Sequence, residues 1–301
     1  MPSLPKNGRA NSPAMSDDTV SWGELWNETA ARVGRPQARW LCEVASGLDG
    51  DELLASLDTA ATARAVAHLD AMLARLDSGE PLQYVLGRWG FRHLDLMVDR
   101  RVLIPRPETE TVVDVALRLA RTLEFPIVCA DLGTGSGAIG LSLAHELPLS
   151  GVVVWMTDRS PDAIDVARAN AAGVGRAGAN VRLAHGEWFE ALPAELCGRL
   201  ALVVSNPPYV SVDDDALEPV VRDWEPALAL FGGEDGLDEI RRIVADATRW
   251  LQPGGWLVLE IGSTHGRTVD ELLRESGFED VTITPDLSGH DRVASARRRE
   301  R

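Results

Sequence analysis

Apolar positions recur at helical spacing from about residue 20 to residue 80 and then give way to short continuous runs. Ser21 and Glu24 form a capping-box pattern, and Trp22, Leu25, Trp26, Ala30 and Val33 follow at helical spacing up to Gly34. After Pro36, residues Ala38, Leu41, Cys42 and Ala45 mark one face of a second helix that stops at Gly47. A short segment at 52–57 precedes a third periodic stretch at 62–76, which carries Val66, Leu69, Met72, Leu73 and Leu76 and ends at Ser78, Gly79 and Pro81. The pattern predicts a small helical bundle over residues 17–80 that packs against or recognises something. Residues 1–16 have turn-forming composition and no periodicity, so they are expected to be a disordered extension.

The pattern then changes. Between 85 and 104, Gly87, Gly90, Asp99 and Arg100 separate short alternating stretches, which predicts a linking hairpin over residues 81–104. Beyond it, apolar runs at 127–130, 152–156, 181–183, 200–204, 256–260 and 281–284 alternate with helical stretches at 139–147, 161–171, 237–251 and 268–275. That order predicts a doubly wound α/β domain over residues 105–301, with ligands at the carboxyl ends of its strands.

Two of those strand ends carry chemistry. The run at 127–130 leads into Asp131-Leu132-Gly133-Thr134-Gly135-Ser136-Gly137, and a helix opens after it. Glycines there let backbone amides approach a ligand, and the helix N-terminus favours an anionic group. Asp158 ends the next strand about 20 residues on, where a carboxylate can accept the hydroxyls of a ribose. Alone this loop is ambiguous, because Gly133, Gly135 and Ala138 also satisfy the dinucleotide-binding pattern.

The run at 200–204 ends in Ser205-Asn206-Pro207-Pro208-Tyr209. Two successive prolines fix the backbone and remove two donors, leaving carbonyl oxygens to face a ligand. Such acceptors suit a planar, amide-type nitrogen, whose lone pair is delocalised and must be partly localised before it can attack a methyl group. Hydrogen bonds from its NH2 to the Asn206 side-chain oxygen and the Pro207 carbonyl would stabilise the charge that grows on nitrogen. Tyr209 offers a flat face. No strong general base is needed, since the nitrogen becomes acidic as the new bond forms. Either motif alone could be a rigid turn, but their conjunction in one domain points to methyl transfer.

Charge narrows the partners: 30 basic against 46 acidic residues give a net charge of −16, which disfavours stable nucleic-acid binding. Arg297, Arg298, Arg299 and Arg301 read as a solvated basic tail. Cys42, Cys129 and Cys197 have no paired spacing and the six histidines no metal spacing, so no disulfide or metal site is expected. His290 beside Asp291 reads as a surface pair. No apolar run approaches the roughly 20 residues that span a bilayer, and the first 15 residues lack a secretory pattern, so a cytoplasmic protein without a membrane anchor is expected.

Gly133 to Gly137, Asp158 and Asn206 to Tyr209 together resemble a class I S-adenosylmethionine-dependent methyltransferase acting on amino groups. Gly79-Glu80-Pro81-Leu82-Gln83-Tyr84, Ile104-Pro105-Arg106-Pro107-Glu108-Thr109-Glu110, Glu187-Trp188-Phe189, Glu225-Pro226 and Asp235-Gly236-Leu237 further resemble the release factor glutamine N5-methyltransferases, over about residues 22–295. The resemblance implies a mostly parallel seven-stranded sheet and a monomer that methylates a glutamine of a peptide chain release factor, yielding S-adenosylhomocysteine. It implies that Gly133, Thr134, Gly135, Ser136 and Gly137 contact the methionine part of the cofactor, that Asp158 takes the ribose, and that Trp188 packs near the adenine with Asn206 close by. It implies further that Asn206, Pro207, Pro208 and Tyr209 grip the glutamine, with Phe91 covering the site and Arg106 beside it. Two departures stand out: Glu187 replaces a common aspartate, and Arg88-Trp89-Gly90-Phe91 is an unusual spelling. From sequence alone Trp188 is equally a core filler, and Arg106 could pair with Glu108 or Glu110 on a solvated loop.

Rival readings remain at this level. A sister enzyme could methylate glutamine on a ribosomal protein, and N6-adenine or N2-guanine methylation poses the same chemical problem. An oxidoreductase using a nicotinamide cofactor leaves Asn-Pro-Pro-Tyr unexplained. A binding module with a degenerate catalytic domain conflicts with the intact motifs.

Overall fold

The computed structural model describes residues 19–214 and 217–300, so the stretch 1–16 expected to be disordered lies outside the described residues. The chain divides into two compact units, Met1–Ser78 and Gly79–Arg301.

The first unit is helical: α1 (Trp22–Val33), α2 (Arg35–Ser46), α3 (Gly50–Ala55) and α4 (Ala63–Asp77). Ser21 Oγ accepts from the Glu24 amide at 3.2 Å while the Glu24 carboxylate accepts from the Ser21 amide at 2.8 Å. Asp49 and Glu52 repeat this reciprocal cap at the start of α3. Each cap satisfies otherwise orphaned N–H groups and contributes roughly 1 kcal/mol. The buried stripe of α1 is Trp22, Leu25 and Thr29; Ala30 and Val33 are only half-buried. Ala38, Leu41 and Cys42 of α2, Leu53 of α3, and Leu69, Met72 and Leu73 of α4 complete this core.

The second unit begins with a helical turn, α5 (Leu82–Leu86), closed by Gly87 at φ 71°, and then the hairpin β1 (Arg88–Phe91) and β2 (Leu94–Met97). The hairpin is therefore shorter than the expected 81–104 segment. After it come α6 (Thr109–Ala120), β3 (Ile127–Leu132), α7 (Ala138–Glu146), β4 (Val152–Asp158), α8 (Pro161–Gly173), β5 (Val181–His185) and β6 (Leu200–Ser205). The chain continues through α9 (Pro219–Trp224), α10 (Asp238–Trp250), β7 (Leu251–Glu260), α11 (Gly266–Glu275), β8 (Phe278–Pro285) and β9 (Asp291–Arg298). Seven strands form one sheet in the order β5-β4-β3-β6-β7-β9-β8, parallel up to β7 and antiparallel at β9. This is the mostly parallel, doubly wound architecture expected, with helices on both faces.

Two elements depart from the sequence reading. Helix α6 was not anticipated, although Thr109, Val112, Val113, Ala116, Leu117 and Ala120 are buried at helical spacing along it. Arg297 and Arg298 of the supposed basic tail end β9, which is wedged between β7 and β8; Arg301 lies outside the described residues. Val293, Ala294 and Ala296 are buried there, and Arg297 pairs with Glu279 at 2.9 Å and Asp280 at 2.8 Å. Small inward residues flanked by arginines hide a strand, because hydrophobic alternation is weak when the apolar side chains are alanine.

Register positions the site. Leu132 of β3 is level with Thr157 of β4 and Ser205 of β6, and Ser205 is level with Leu259 of β7. The next residue of each strand end, Gly133, Asp158, Asn206 and Glu260, therefore stands at one height along the carboxyl edge. Among the described residues no helix is long and apolar enough to cross a membrane.

Candidate active site

The carboxyl edge opens into a cleft of about 990 Å³, mouth included, lined by Gly133, Thr134, Gly135, Ser136, Asp158, Glu187, Trp188, Asn206, Pro208 and Arg106 among others. The glycine loop is braced from within: the Thr134 amide donates to the Thr157 carbonyl at 2.8 Å and the Gly135 amide to Asp158 Oδ2 at 2.9 Å. Gly137 needs to be glycine, since its φ is 90° and a Cβ would sit 2.9 Å from both Leu141 and Met156. Asp158 accepts a second bond, from the Ser160 amide at 2.8 Å, and burial pushes its carboxyl above the usual range. Each of its oxygens thus accepts one backbone bond and keeps capacity for a further donor from the cleft.

Beneath the loop lies Asp131, fully buried. Its Oδ2 accepts from Thr134 Oγ1 at 2.5 Å and from the Gly140 amide at 2.8 Å, while its Oδ1 has no partner among the described residues. Burial pushes its carboxyl up to about 6.

Trp188 forms one wall. Its backbone has φ 42°, rarely adopted by a bulky residue, and its ring lies against Gly133, where a Cβ would stand 3.1 Å away. The indole Nε1 donates to Glu239 Oε2 at 2.9 Å, fixing the ring. Neighbouring Glu187 pairs with Arg242 at 2.7 Å, which holds its carboxyl below the usual range.

Asn206 belongs both to this cleft and to a second, adjoining cavity lined by Tyr209, Val210, Leu230 and Arg292; Leu103, Arg106 and Ala229 also belong to both. The turn carrying Asn206 is clamped by close backbone approaches: a Cβ on Gly232 would lie 2.4 Å from the Pro208 carbonyl oxygen, and one on Gly236 2.3 Å from that of Tyr209. That accounts for the Asp235-Gly236-Leu237 sequence. Asn206 Nδ2 donates to Thr109 Oγ1 at 3.4 Å, Thr109 Oγ1 donates to Glu260 Oε2 at 2.6 Å, and the Tyr209 hydroxyl donates to Glu260 Oε1 at 3.0 Å. Arg292 Nη1 donates in turn to the Tyr209 oxygen at 3.4 Å. Burial and the Glu260 charge raise the Tyr209 hydroxyl pKa, so it stays protonated.

The structure brings most of the expected residues together: Gly133 to Ser136, Asp158, Trp188, Asn206, Pro208 and Arg106 line one cleft, and Tyr209 lines the adjoining cavity. Pro207 is buried and not among the residues lining the cleft, and Gly137 stands behind it as the cap of α7. Phe91 is a correction. Alternation along β1 turns it inward, and it is buried in the core with Leu94, Leu96 and Val113 rather than covering the cleft. Arg106 lines both cavities as expected, and its partner is buried Glu225 at 2.5 Å rather than the Glu108 or Glu110 of a solvated-loop reading; the other Glu225 oxygen accepts from the Ile104 amide at 3.1 Å. Sequence reasoning missed Thr109, Glu260 and Arg292, although Glu260 ends a predicted strand.

Comparison with known proteins agrees with this geometry. The chain matches the PrmC N-terminal domain family over residues 30–87 and the methyltransferase small domain family over residues 112–225. It is 41% identical over 271 residues to the release factor glutamine methyltransferase of Geobacter sulfurreducens, covering 90% of this chain and 92% of that protein. It is 43% identical over 230 residues to that of Streptomyces coelicolor, covering 75% of this chain and 79% of the relative. The solved structure of a methyltransferase from Pyrococcus furiosus superposes with a TM-score of 0.51 at 18% identity, covering 76% of this chain and 99% of that one, a likeness of fold alone. With glycine loop, Asp158 carboxylate and Asn-Pro-Pro-Tyr turn meeting at one sheet edge, and kinship along nine-tenths of its length, the chain belongs to the release factor glutamine methyltransferase family.

Proposed function

We propose that the protein transfers a methyl group from S-adenosylmethionine to the side-chain amide nitrogen, N5, of a glutamine in peptide chain release factors. The observation that carries this reading is the position of Asn206 on the wall shared by two cavities, one lined by the glycine loop and one by Tyr209. The residues present fit the donor. Trp188 offers an apolar face for the adenine, Asp158 retains acceptor capacity for the ribose hydroxyls, and Gly135 at φ 55° leaves open space beside the loop for the methionine part.

When bound, the donor supplies a methyl group on a sulfonium centre, which departs as the neutral thioether. The chain's own task is to present the nitrogen. Asn206 Oδ1 accepts from the glutamine NH2 and draws its lone pair out of conjugation; Pro207, whose carbonyl was expected as a second acceptor, lines neither cavity. Once methylated, the amide nitrogen held by Asn206 would shed one proton to water. Alignment and exclusion of water supply the rest of the rate. The helical unit is assigned to recognition of the release factor.

The test is incubation with labelled S-adenosylmethionine and, separately, a release factor, a ribosomal protein mixture and bulk DNA or RNA. Label confined to a release factor glutamine supports the reading; label on ribosomal protein or nucleic acid keeps the chemistry and overturns the substrate. For the cofactor assignment, Asp158→Ala is expected to raise the dissociation constant for S-adenosylmethionine about tenfold or more, the loss of hydrogen bonds to a charged acceptor. Isothermal titration reads this directly, and an unchanged affinity removes Asp158 from the ribose site.

A further inference from the structure

Thr109, Glu260 and Tyr209 lie outside the glycine loop, and Glu260 lines neither cavity. Yet they form one continuous hydrogen-bonded chain that ends on the Asn206 amide. An asparagine amide can face its substrate with oxygen or with NH2, and only the oxygen can accept from a glutamine NH2. Something must select between the two.

We propose that Glu260 is a positioning residue that sets the orientation of the Asn206 amide through the hydroxyl of Thr109. The inference rests on the proposed methyl transfer to an amide nitrogen and deepens it. The logic is one of donor polarity. Burial raises the Glu260 pKa and the Thr109 and Tyr209 hydroxyls and Arg292 offset it; as a carboxylate Glu260 only accepts, so the Thr109 hydroxyl, 2.6 Å from its Oε2, directs its single proton there. The Thr109 oxygen is left only lone pairs for Asn206, and Asn206 must turn its NH2 toward Thr109. Its Oδ1 then faces away from Thr109 and is available to the substrate. The second Glu260 oxygen is engaged by Tyr209, whose hydroxyl receives Arg292, so the carboxylate is anchored at both ends while fully buried. Register explains how the relay forms: Glu260 ends β7 at the height where Asn206 leaves β6, and Thr109 opens α6 above both.

Replacing the carboxylate by an amide breaks the polarity rule. In Glu260→Gln the new NH2 is best satisfied against Thr109. There the hydroxyl can reverse and donate to Asn206, whereas the Tyr209 hydroxyl would lose its only acceptor among the described residues. Asn206 then rotates and offers NH2 to a substrate that also donates. The expected result for Glu260→Gln and Thr109→Val is a fall in kcat of about tenfold to hundredfold, the scale of a misoriented catalytic contact. The dissociation constant for S-adenosylmethionine should change little, while Thr109→Val, which leaves a buried Glu260 oxygen unsatisfied, should lower the thermal midpoint. Thr109→Ser, which keeps the hydroxyl, restores most of kcat. A readout independent of turnover is the pair of Asn206 side-chain amide resonances, which should shift in Glu260→Gln through the Thr109 hydroxyl. Retention of parental kcat in Glu260→Gln, equal loss in Thr109→Ser and Thr109→Val, or unmoved Asn206 resonances each overturn the proposal. Whether the parent protein methylates a release factor glutamine at all is read on the unsubstituted enzyme, so failure of that assignment is distinguished from failure of the relay, which the resonances test on their own.

Discussion

Asn206→Ala is expected to lower kcat by about 10²–10³-fold while the cofactor still binds, the loss seen when one preorganised hydrogen-bond partner of a transition state is removed. The argument is geometric. Asn206 stands on the wall common to the cleft and the adjoining cavity, and its turn is held by the close approach of Gly232 and Gly236 to the Pro208 and Tyr209 carbonyls. The side chain is half-exposed, and its one side-chain bond among the described residues, to Thr109, is long at 3.4 Å. Its removal should therefore disturb the fold little and the reaction greatly. Single-turnover transfer from labelled donor to a release factor measures the chemical step, and isothermal titration measures cofactor affinity. A variant that binds cofactor normally and transfers at the parental rate would remove Asn206 from the reaction. A loss confined to cofactor affinity would move it to the cofactor site.

The sheet and the two central motifs could be read from the sequence because they sit where local rules are strong. The run at 127–130 is continuous and apolar because β3 is central and covered on both faces. The turn after it needs glycines, and the turn at Asn206 needs prolines, so both announce themselves. What escaped was long-range. Phe91 could be seen in the sequence but not its face, because a four-residue strand gives too little alternation to choose between core and cleft. Arg106 has acidic neighbours in sequence, yet its partner is Glu225, 119 positions away. Glu260 looked like the polar end of a strand; only the pairing of β6 with β7 brings it level with Asn206. Strand β9 was hidden by its composition, with alanines inward and arginines outward.

Asp131→Asn is expected to change how stability depends on pH by about 3 kcal/mol, because a shift from the ordinary 3.8 to about 6 spans some two pH units at 1.36 kcal/mol each. The sign follows from protonation. A carboxyl whose folded-state pKa is raised prefers to be neutral in the folded protein, so its favourable contribution is complete below pH 3.8 and is lost as pH rises through about 6. Burial is the main cause; the Thr134 hydroxyl and Gly140 amide offset part of it, and the nearby Asp158 charge adds to it. Asparagine keeps an acceptor for both donors but has no charge to bury, so the variant lacks this loss. Its NH2 falls where Oδ1 has no partner among the described residues, which costs about 1–3 kcal/mol at every pH. The absolute stability of the variant is therefore not the test; the change in the difference between parent and variant is. Urea unfolding followed by tryptophan fluorescence, at about pH 4 and about pH 7.5 on either side of the pI near 4.8, should show the variant gaining on the parent by about 3 kcal/mol at the higher pH. A difference that does not move with pH means that Asp131 is ionised in the folded protein at both values. A buried negative charge beneath a loop assigned to a cationic sulfonium also has a functional consequence: the variant should bind S-adenosylmethionine more weakly even where it folds more stably.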